Sequence, residues 1–108
     1  MTDSRLTALS PLDGRYADKC ADLAALFSEA ALIRFRVRVE AAWYRQLAQP
    51  GQFPVLGLLP ASLDNCLAAL SRGVDEAGVQ RVKEIERQTN HDVKAVEYYV
   101  RERLAAAG

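Results

Sequence analysis

Residues 86–99 read Glu86-Arg87-Gln88-Thr89-Asn90-His91-Asp92-Val93-Lys94-Ala95-Val96-Glu97-Tyr98-Tyr99. Apolar residues recur at helical spacing before and after the central Thr-Asn-His-Asp, so the stretch predicts two helices that meet at a polar joint. The joint holds His91, the only histidine of the chain. The fold is therefore predicted to be helical, and any polar chemistry is expected first at this joint.

Asn90, His91 and Asp92 allow two interpretations. A helix N-terminus offers unpaired backbone N–H groups and the positive end of the helix dipole, so these side chains could bind an anionic or polar ligand there. Asn and Asp are also favoured capping residues, and a lone histidine is more often a surface or core residue than a catalyst. The spacing alone leaves both open and favours the structural role.

Length and composition indicate one small folded domain. The chain has 108 residues, half of them hydrophobic, and 14 basic residues balance 14 acidic ones for a formal net charge of +0. This balance argues against nucleic-acid binding and against an anionic membrane surface. No apolar run approaches the roughly 20 residues of a membrane span, and no secretory signal precedes the domain. We expect a cytoplasmic protein.

The two cysteines, Cys20 and Cys66, lie far apart and have no metal-ligand spacing. A structural zinc site needs about four ligands, and one histidine with two cysteines falls short of that. A disulfide between the two cysteines is the alternative that their number leaves open, but we expect buried free thiols and no metal site.

Periodicity and caps predict an all-α domain of about five to six helices over residues 1–108. Residues 1–16 are predicted to be extended or looped. Gly78 lies in the helix predicted to follow the cap Asp75, and it is expected to weaken that helix by roughly 1 kcal/mol relative to alanine. The apolar stripe expected in the core of the long second helix is Leu32, Phe35, Val39, Trp43 and Leu47. The predicted helices run from Ala17 to about Phe27, from the cap Ser28 to Gln49, from Pro60 to Arg72, from the cap Asp75 to the joint, and from Asp92 or Val93 onward.

Arg15 and Tyr16 form a second group of interest. They follow Pro11 and the turn-forming Asp13-Gly14, so an ordered loop would present them side by side. An arginine fork suits phosphate or carboxylate, and tyrosine adds a hydroxyl and a stacking face. The alternative is a surface loop in which the tyrosine packs on the next helix and the arginine is solvated, and the sequence alone favours it.

At these positions the sequence resembles the N-terminal domain of the bacterial-type adenylosuccinate lyases, in the fumarase/aspartase superfamily. The resemblance runs along nearly the whole chain and is weakest over residues 49–79. It rests on four blocks: Ser10-Pro11-Leu12-Asp13-Gly14-Arg15-Tyr16-Ala17-Asp18-Lys19, Phe27-Ser28-Glu29, Phe35-Arg36-Val37, and Ile85-Glu86-Arg87-Gln88-Thr89-Asn90-His91-Asp92-Val93-Lys94-Ala95-Val96-Glu97-Tyr98.

The resemblance implies an all-α, three-domain enzyme of purine nucleotide biosynthesis that forms homotetramers. Such an enzyme cleaves adenylosuccinate to AMP and fumarate, and SAICAR to AICAR and fumarate. The reaction is a β-elimination, in which a base removes a carbon-bound proton and an acid protonates the leaving nitrogen. The resemblance implies no metal and no organic cofactor.

Carried over by position, Arg15 and Tyr16 would contact the nucleotide, and Asn90, His91 and Asp92 would line the same pocket. His91 would support binding and catalysis. The resemblance places the principal acid, a histidine, and the principal base, the serine of a Gly-Ser-Ser-x-Met-Pro loop, outside this chain.

The chain is therefore expected to be a fragment, inactive alone and able to self-associate through apolar surface left uncovered. The alternative is a stand-alone helical protein-interaction module with a lyase-like fold and no catalysis.

Overall fold

The computed structural model describes residues 4–108, and within them the regular structure is entirely helical. This confirms the all-α prediction, with five α-helices where about five to six were expected. The helices are α1 (Ala21–Phe27), α2 (Glu29–Leu47), α3 (Ala61–Arg72), α4 (Glu76–Thr89) and α5 (Asp92–Ala107), with short 3-10 helices at Ser4–Thr7 and Pro54–Leu56. By its contacts the chain divides into two compact units, the first ending at Leu32 and the second running Ile33–Gly108.

The first unit is built around the Asp13-Gly14 turn. The Asp13 carboxylate accepts hydrogen bonds from the backbone N–H groups of Ser10 (2.8 Å) and Leu9 (3.3 Å). A Cβ added to Gly14 would lie 2.7 Å from the backbone oxygen of Arg5, so only glycine fits without a shift. The loop is therefore ordered by its own polar groups, as the Pro and Asp-Gly signals predict.

Two sequence predictions for this unit are wrong. Residues 4–7 form a 3-10 helix within the segment expected to be extended or looped, and residues 11–20 form hydrogen-bonded turns, so the helix expected from Ala17 begins at Ala21. The Asp13 bonds and the bond from the Tyr16 N–H to the Pro11 oxygen (2.9 Å) hold the chain in turn geometry instead. Hydrogen bonding to a nearby side chain competes with helix formation in this way.

The second unit has a core made by one face each of α3, α4 and α5. Contacts are densest between α4 and α5 and continue between α3 and α5. On α4 the buried apolar side chains are Val79, Val82 and Ile85. The other buried side chains of these helices are Leu67 and Leu70 on α3 and Ala95, Val96, Tyr99 and Val100 on α5.

The core prediction for α2 is wrong. Leu32, Phe35, Val39 and Trp43 are 48%, 42%, 66% and 58% exposed, and Leu47 is only half-buried. The buried residues of α2 are instead Ala31, Ile33, Val37 and Ala41, and Ala48 just after the helix is also buried. The predicted set recurs every three or four residues, and Ile33, Val37 and Ala41 of the buried set recur every four, so periodicity fits either. The set with small and β-branched side chains lets neighbouring helices approach closely, and this set is buried.

Helix starts and ends agree with the predicted caps. The Ser28 hydroxyl accepts from the Ala31 N–H at 3.1 Å, and Asp75 Oδ1 accepts from the Gly78 N–H at 2.8 Å. Gly73 follows α3 and its N–H donates to the Ala69 oxygen. Each bond satisfies a backbone group that a helix end leaves unpaired.

Polar contacts join α2 to the rest of the second unit. Arg34 Nε donates to the backbone oxygen of Val74 at 2.9 Å, and Arg45 Nε donates to Asp64 at 2.8 Å. The first bond reaches the connection between α3 and α4, and the second reaches α3. These arginines therefore help fix which side of α2 faces inward.

Gly78 is a packing requirement within α4. It is buried, and a Cβ there would lie 2.6 Å from the Tyr99 hydroxyl oxygen and closer still to the Val74 side chain. The sequence expectation that alanine would be better at this position considers only helix propensity. We expect the close approach of the Val74 and Tyr99 side chains to make alanine less stable than glycine at this position.

We predict that Gly78→Ala lowers the free energy of unfolding by about 1 to 2 kcal/mol, because overpacking outweighs the helix-propensity gain of about 1 kcal/mol. Denaturant unfolding measures the difference. Gly73→Ala is the matched control, since a Cβ at Gly73 meets nothing within 4 Å. Adding Tyr99→Phe to Gly78→Ala should recover part of the loss, and an unchanged or raised stability of Gly78→Ala would contradict this account.

Candidate functional site

The polar joint between α4 and α5 is a reversal of the chain centred on Asn90. Asn90 is the only non-glycine residue with positive φ among residues 4–108 (φ 52, ψ 31), and it ends α4 in the left-handed conformation that asparagine tolerates. Its N–H donates to the Glu86 oxygen at 2.8 Å. The Asn90 side chain is exposed and takes no part in the cap.

His91 is the N-cap of α5. Its Nδ1 accepts the Lys94 N–H at 3.1 Å, and its backbone is extended (φ −147, ψ 115) as a capping residue requires. An Nδ1 that accepts a hydrogen bond carries no proton, so the neutral ring holds its proton on Nε2. The side chain is 64% exposed. The ring therefore offers Nε2–H as a donor, while Nδ1 is occupied.

Thr89 holds the backbone on the other side of the joint. Its hydroxyl donates to the His91 oxygen at 3.0 Å and accepts the His91 N–H at 3.2 Å. The joint thus satisfies its own backbone groups before any ligand is present. The Nδ1 bond orients the imidazole, and the two Thr89 bonds fix the backbone that carries it.

Asp92 is ion-paired rather than free. Its Oδ2 accepts from Arg36 Nη1 of α2 at 2.8 Å, and its Oδ1 accepts from the Val93 N–H at 2.9 Å. The Arg36 hydrogen bond, followed by the Val93 N–H, lowers the pKa of the Asp92 carboxyl below its ordinary value of 3.8. Asp92 therefore fastens the N-terminus of α5 to α2.

Arg15 and Tyr16 lie next to each other in the first unit, as predicted. The guanidinium carbon of Arg15 is 4.7 Å from the centroid of the Tyr16 ring, and Lys19 Nζ is 5.8 Å from the same centroid. The ring is 38% exposed. Two cations thus flank one partly exposed aromatic ring, a suitable surface for an anionic ligand with a planar group.

The five predicted residues are therefore placed in two groups. Arg15 and Tyr16 belong to the first unit, and Asn90, His91 and Asp92 belong to the second. The structure brings the members of each group together within its own unit.

Sequence reasoning missed several residues around the joint. A polar cleft of about 330 Å³ beside Asn90 is lined by Lys83, Glu86 and Arg87. Lys83 and Arg87 are four residues apart, so their shared helix face could have been read from the spacing. Arg36 is 56 residues from Asp92, and no local pattern signals that pair.

The described residues contain no group of three or more His, Cys, Asp or Glu side chains that could hold a metal ion. Cys20 and Cys66 are free thiols, as predicted, although each is half-buried rather than buried. None of the helices between residues 4 and 108 is long and apolar enough to cross a membrane.

These observations define the class of the structure, which is an all-α domain with a capped polar joint between α4 and α5. Over 101 residues the chain is 48% identical to the adenylosuccinate lyase of Haemophilus influenzae, and over 102 residues it is 45% identical to that of Escherichia coli. The adenylosuccinate lyase of Dictyostelium discoideum is 38% identical over 102 residues. Each alignment covers 94% of this chain. The chain is thus similar over nearly its whole length to one part of these adenylosuccinate lyases, which confirms the resemblance.

The same alignments cover only 22% of each of these relatives, so the chain spans less than a quarter of their length. No protein-family model matches the chain.

We predict that His91→Ala destabilises the chain by about 1 kcal/mol through loss of the α5 N-cap, whereas His91→Asn retains most of the stability because asparagine also caps. Denaturant unfolding of both variants checks this. Equal stability of the alanine and asparagine variants would contradict the capping role.

We also predict a specific acid response at Asp92. Its pKa is lowered in the folded chain, so its stabilising contribution is present above the ordinary aspartate pKa and is lost as pH falls through the folded-state value. As the pH is lowered from about 6 to about 2, the melting temperature of Asp92→Asn should therefore fall less steeply than that of the parent chain. Asp22→Asn, at an exposed aspartate on α1, is the control. Equal slopes for all three proteins would contradict the ion-pair account.

Proposed function

We propose that this chain is the N-terminal substrate-binding domain of an adenylosuccinate lyase. The observation that carries the proposal is the identity of 42–48% with such lyases over 94–96% of the chain. The longer enzyme would cleave adenylosuccinate to AMP and fumarate, and SAICAR to AICAR and fumarate, in purine nucleotide biosynthesis. It would act in the cytoplasm as a homotetramer.

The chemistry of the two residue groups suits these substrates. Adenylosuccinate carries a phosphate, two carboxylates and a purine ring. Arg15 offers paired donors for an anionic group, and Tyr16 offers a stacking face and a hydroxyl. Asn90 supplies an exposed amide, and His91 supplies an Nε2–H donor of fixed tautomer. We infer that each group contributes to nucleotide binding in the longer enzyme.

Asp92 needs a separate role, because a free carboxylate would repel a polyanion. Its 2.8 Å bond to Arg36 offsets that charge. Asp92 would therefore keep the start of α5 in place while Asn90 and His91 meet the ligand. This assigns it a positioning function within the pocket.

A β-elimination requires a base at carbon and an acid at the leaving nitrogen. The only histidine of the chain uses Nδ1 as a cap, which leaves Nε2–H for hydrogen bonding. We propose that His91 binds and orients the substrate and supports the acid, and that the principal acid and base come from other parts of the enzyme. The 108-residue chain would then be inactive alone.

A second candidate function is a helical protein-interaction module without catalysis. The exposed apolar side of α2 favours it, since large exposed apolar patches mark association surfaces. Nucleotide binding distinguishes the two candidates, because an interaction module has no reason to bind adenylosuccinate.

We test the proposal by titrating the chain with adenylosuccinate while recording NMR signals of the His91 ring. A saturable shift is expected, and Arg15→Ala should weaken the apparent affinity at least tenfold, about 1.4 kcal/mol, because it removes a charge-assisted contact. Arg101→Ala, at an exposed arginine on α5, is the matched control and should change the affinity less than twofold.

Adenosine, which lacks the phosphate and both carboxylates, should bind far more weakly than adenylosuccinate. A folded chain whose His91 signals do not move at millimolar adenylosuccinate would contradict preformed nucleotide recognition. An equal loss of affinity in Arg15→Ala and Arg101→Ala would contradict the role assigned to Arg15.

A further inference from the structure

A cleft of about 400 Å³ opens where α3 ends and α4 begins, and α5 lines its other side. This volume lies within the usual range of small-molecule sites. Gly78 of the cleft precedes Asn90 by twelve residues, so the cleft lies roughly 18 Å along α4 from the polar joint. The apolar part of its lining consists of Ala69, Leu70, Val74 and Ala77.

The Tyr99 hydroxyl reaches this cleft from the core. Tyr99 is only 6% exposed, and its hydroxyl oxygen lies 2.6 Å from the position that a Cβ on Gly78 would occupy. Among residues 4–108 no group forms a hydrogen bond with this hydroxyl, although every fully buried side-chain nitrogen or oxygen there has a partner. The hydroxyl therefore contacts the open space of the cleft. Buried tyrosine hydroxyls usually have a hydrogen-bond partner, so this one is available to a ligand.

Two charged side chains of opposite sign also line the cleft without forming an ion pair within residues 4–108. Arg103 has no side-chain partner there, and Asp75 uses only Oδ1, which caps α4. The other charged pair, Arg81 and Glu102, is joined by bonds of 2.7 and 2.9 Å and is thus neutralised. Burial raises the pKa of the Tyr99 hydroxyl above its ordinary value of 10.0, while the Arg103 charge lowers it and the Asp75 charge raises it. Both charges thus act on the hydroxyl, which stays protonated at neutral pH.

We propose that this cleft binds a small zwitterion with an apolar body, of the class of the free aliphatic amino acids. Its carboxylate pairs with Arg103 and accepts a hydrogen bond from the Tyr99 hydroxyl, and its ammonium group pairs with the second carboxylate oxygen of Asp75. Its apolar body lies against the apolar lining of the cleft.

Other occupants fit less well. An apolar side chain from a neighbouring protein segment would leave the buried hydroxyl unpaired, which is unfavourable. A ligand with charge of one sign would meet a like charge at either Asp75 or Arg103. The inference does not rest on the proposed nucleotide function.

NMR titration of the 108-residue chain with L-leucine tests the proposal through the Gly78 N–H and the Tyr99 ring signals. Both should shift saturably, with a dissociation constant on the order of 1 mM for a ligand of about nine non-hydrogen atoms. Two analogues each lack one charge: 4-methylpentanoate has no ammonium group, and 3-methylbutylamine has no carboxylate. Each should bind at least about fivefold more weakly than leucine. Signals of a folded chain that do not move at about 20 mM leucine, or equal affinity for leucine and 4-methylpentanoate, would overturn the proposal.

Tyr99→Phe removes only the hydroxyl and should raise the dissociation constant for leucine at least about fivefold. Tyr98→Phe, at a 40% exposed tyrosine on the same helix, is the matched control and should leave it unchanged. Circular dichroism checks that both variants are folded. Equal affinities of the two variants would overturn the role of the hydroxyl and with it the site.

The two charges are tested separately. Arg103→Gln should weaken leucine binding at least about fivefold, whereas Arg101→Gln, at an exposed arginine outside the cleft, should not. Asp75→Ser retains a capping side chain and removes the charge, so it should abolish the preference for leucine over 4-methylpentanoate. A preference that survives Asp75→Ser, or equal affinities of the two arginine variants, would overturn the assigned binding mode.

Discussion

The second unit depends on the two-residue reversal that joins α4 and α5. Asn90 ends α4 in a left-handed conformation, and His91 immediately begins α5 with its own ring as the cap. Because no spacer separates the two helices, the apolar faces of α4 and α5 meet directly. The buried Val82 and Val96 lie on these faces. The same reversal leaves the Asn90 amide and the His91 Nε2–H exposed, so one local structure both folds the chain and presents its polar groups.

Two longer-range constraints support this reversal. The Arg36–Asp92 ion pair fastens the start of α5 to α2, and the close approach of Tyr99 to Gly78 fixes the distance between α4 and α5. A residue that caps a helix cannot also move its capped atom during catalysis without releasing that helix end. The proposed function therefore gives His91 a binding and orienting role through Nε2, and it takes the principal acid and base from other parts of a longer enzyme.

Local signals predicted most of this structure. Ser28, Asp75 and the start of α5 near Asp92 were readable because caps and period-3.6 patterns are encoded within a few residues. The joint was also identified as the first place to look for chemistry. What the sequence could not give was which of two apolar sides of α2 faces inward. Periodicity does not decide this. Packing partners on distant helices determine that Ile33 and Val37 face inward while Phe35 and Val39 face outward.

The sequence also could not predict the polar contacts of the joint. The Arg36 partner of Asp92 comes from another helix, and the acceptor role of His91 Nδ1 depends on backbone geometry. The Gly78 expectation was incomplete for the same reason, because helix propensity says nothing about the Tyr99 side chain that approaches from α5. Short-range rules therefore located the candidate site, while its charge balance came from tertiary packing and the tautomer of His91 from the local geometry of the cap.

The ring nitrogen spectrum of His91 tests the central claim most directly. With both ring nitrogens labelled with ¹⁵N, the neutral ring should show an unprotonated Nδ1, a protonated Nε2, and a coupling from Nδ1 across the hydrogen bond to the Lys94 N–H. That result would establish that His91 begins α5 and presents Nε2–H outward. A ring protonated on Nδ1, or one that exchanges rapidly between the two tautomers, would contradict the account.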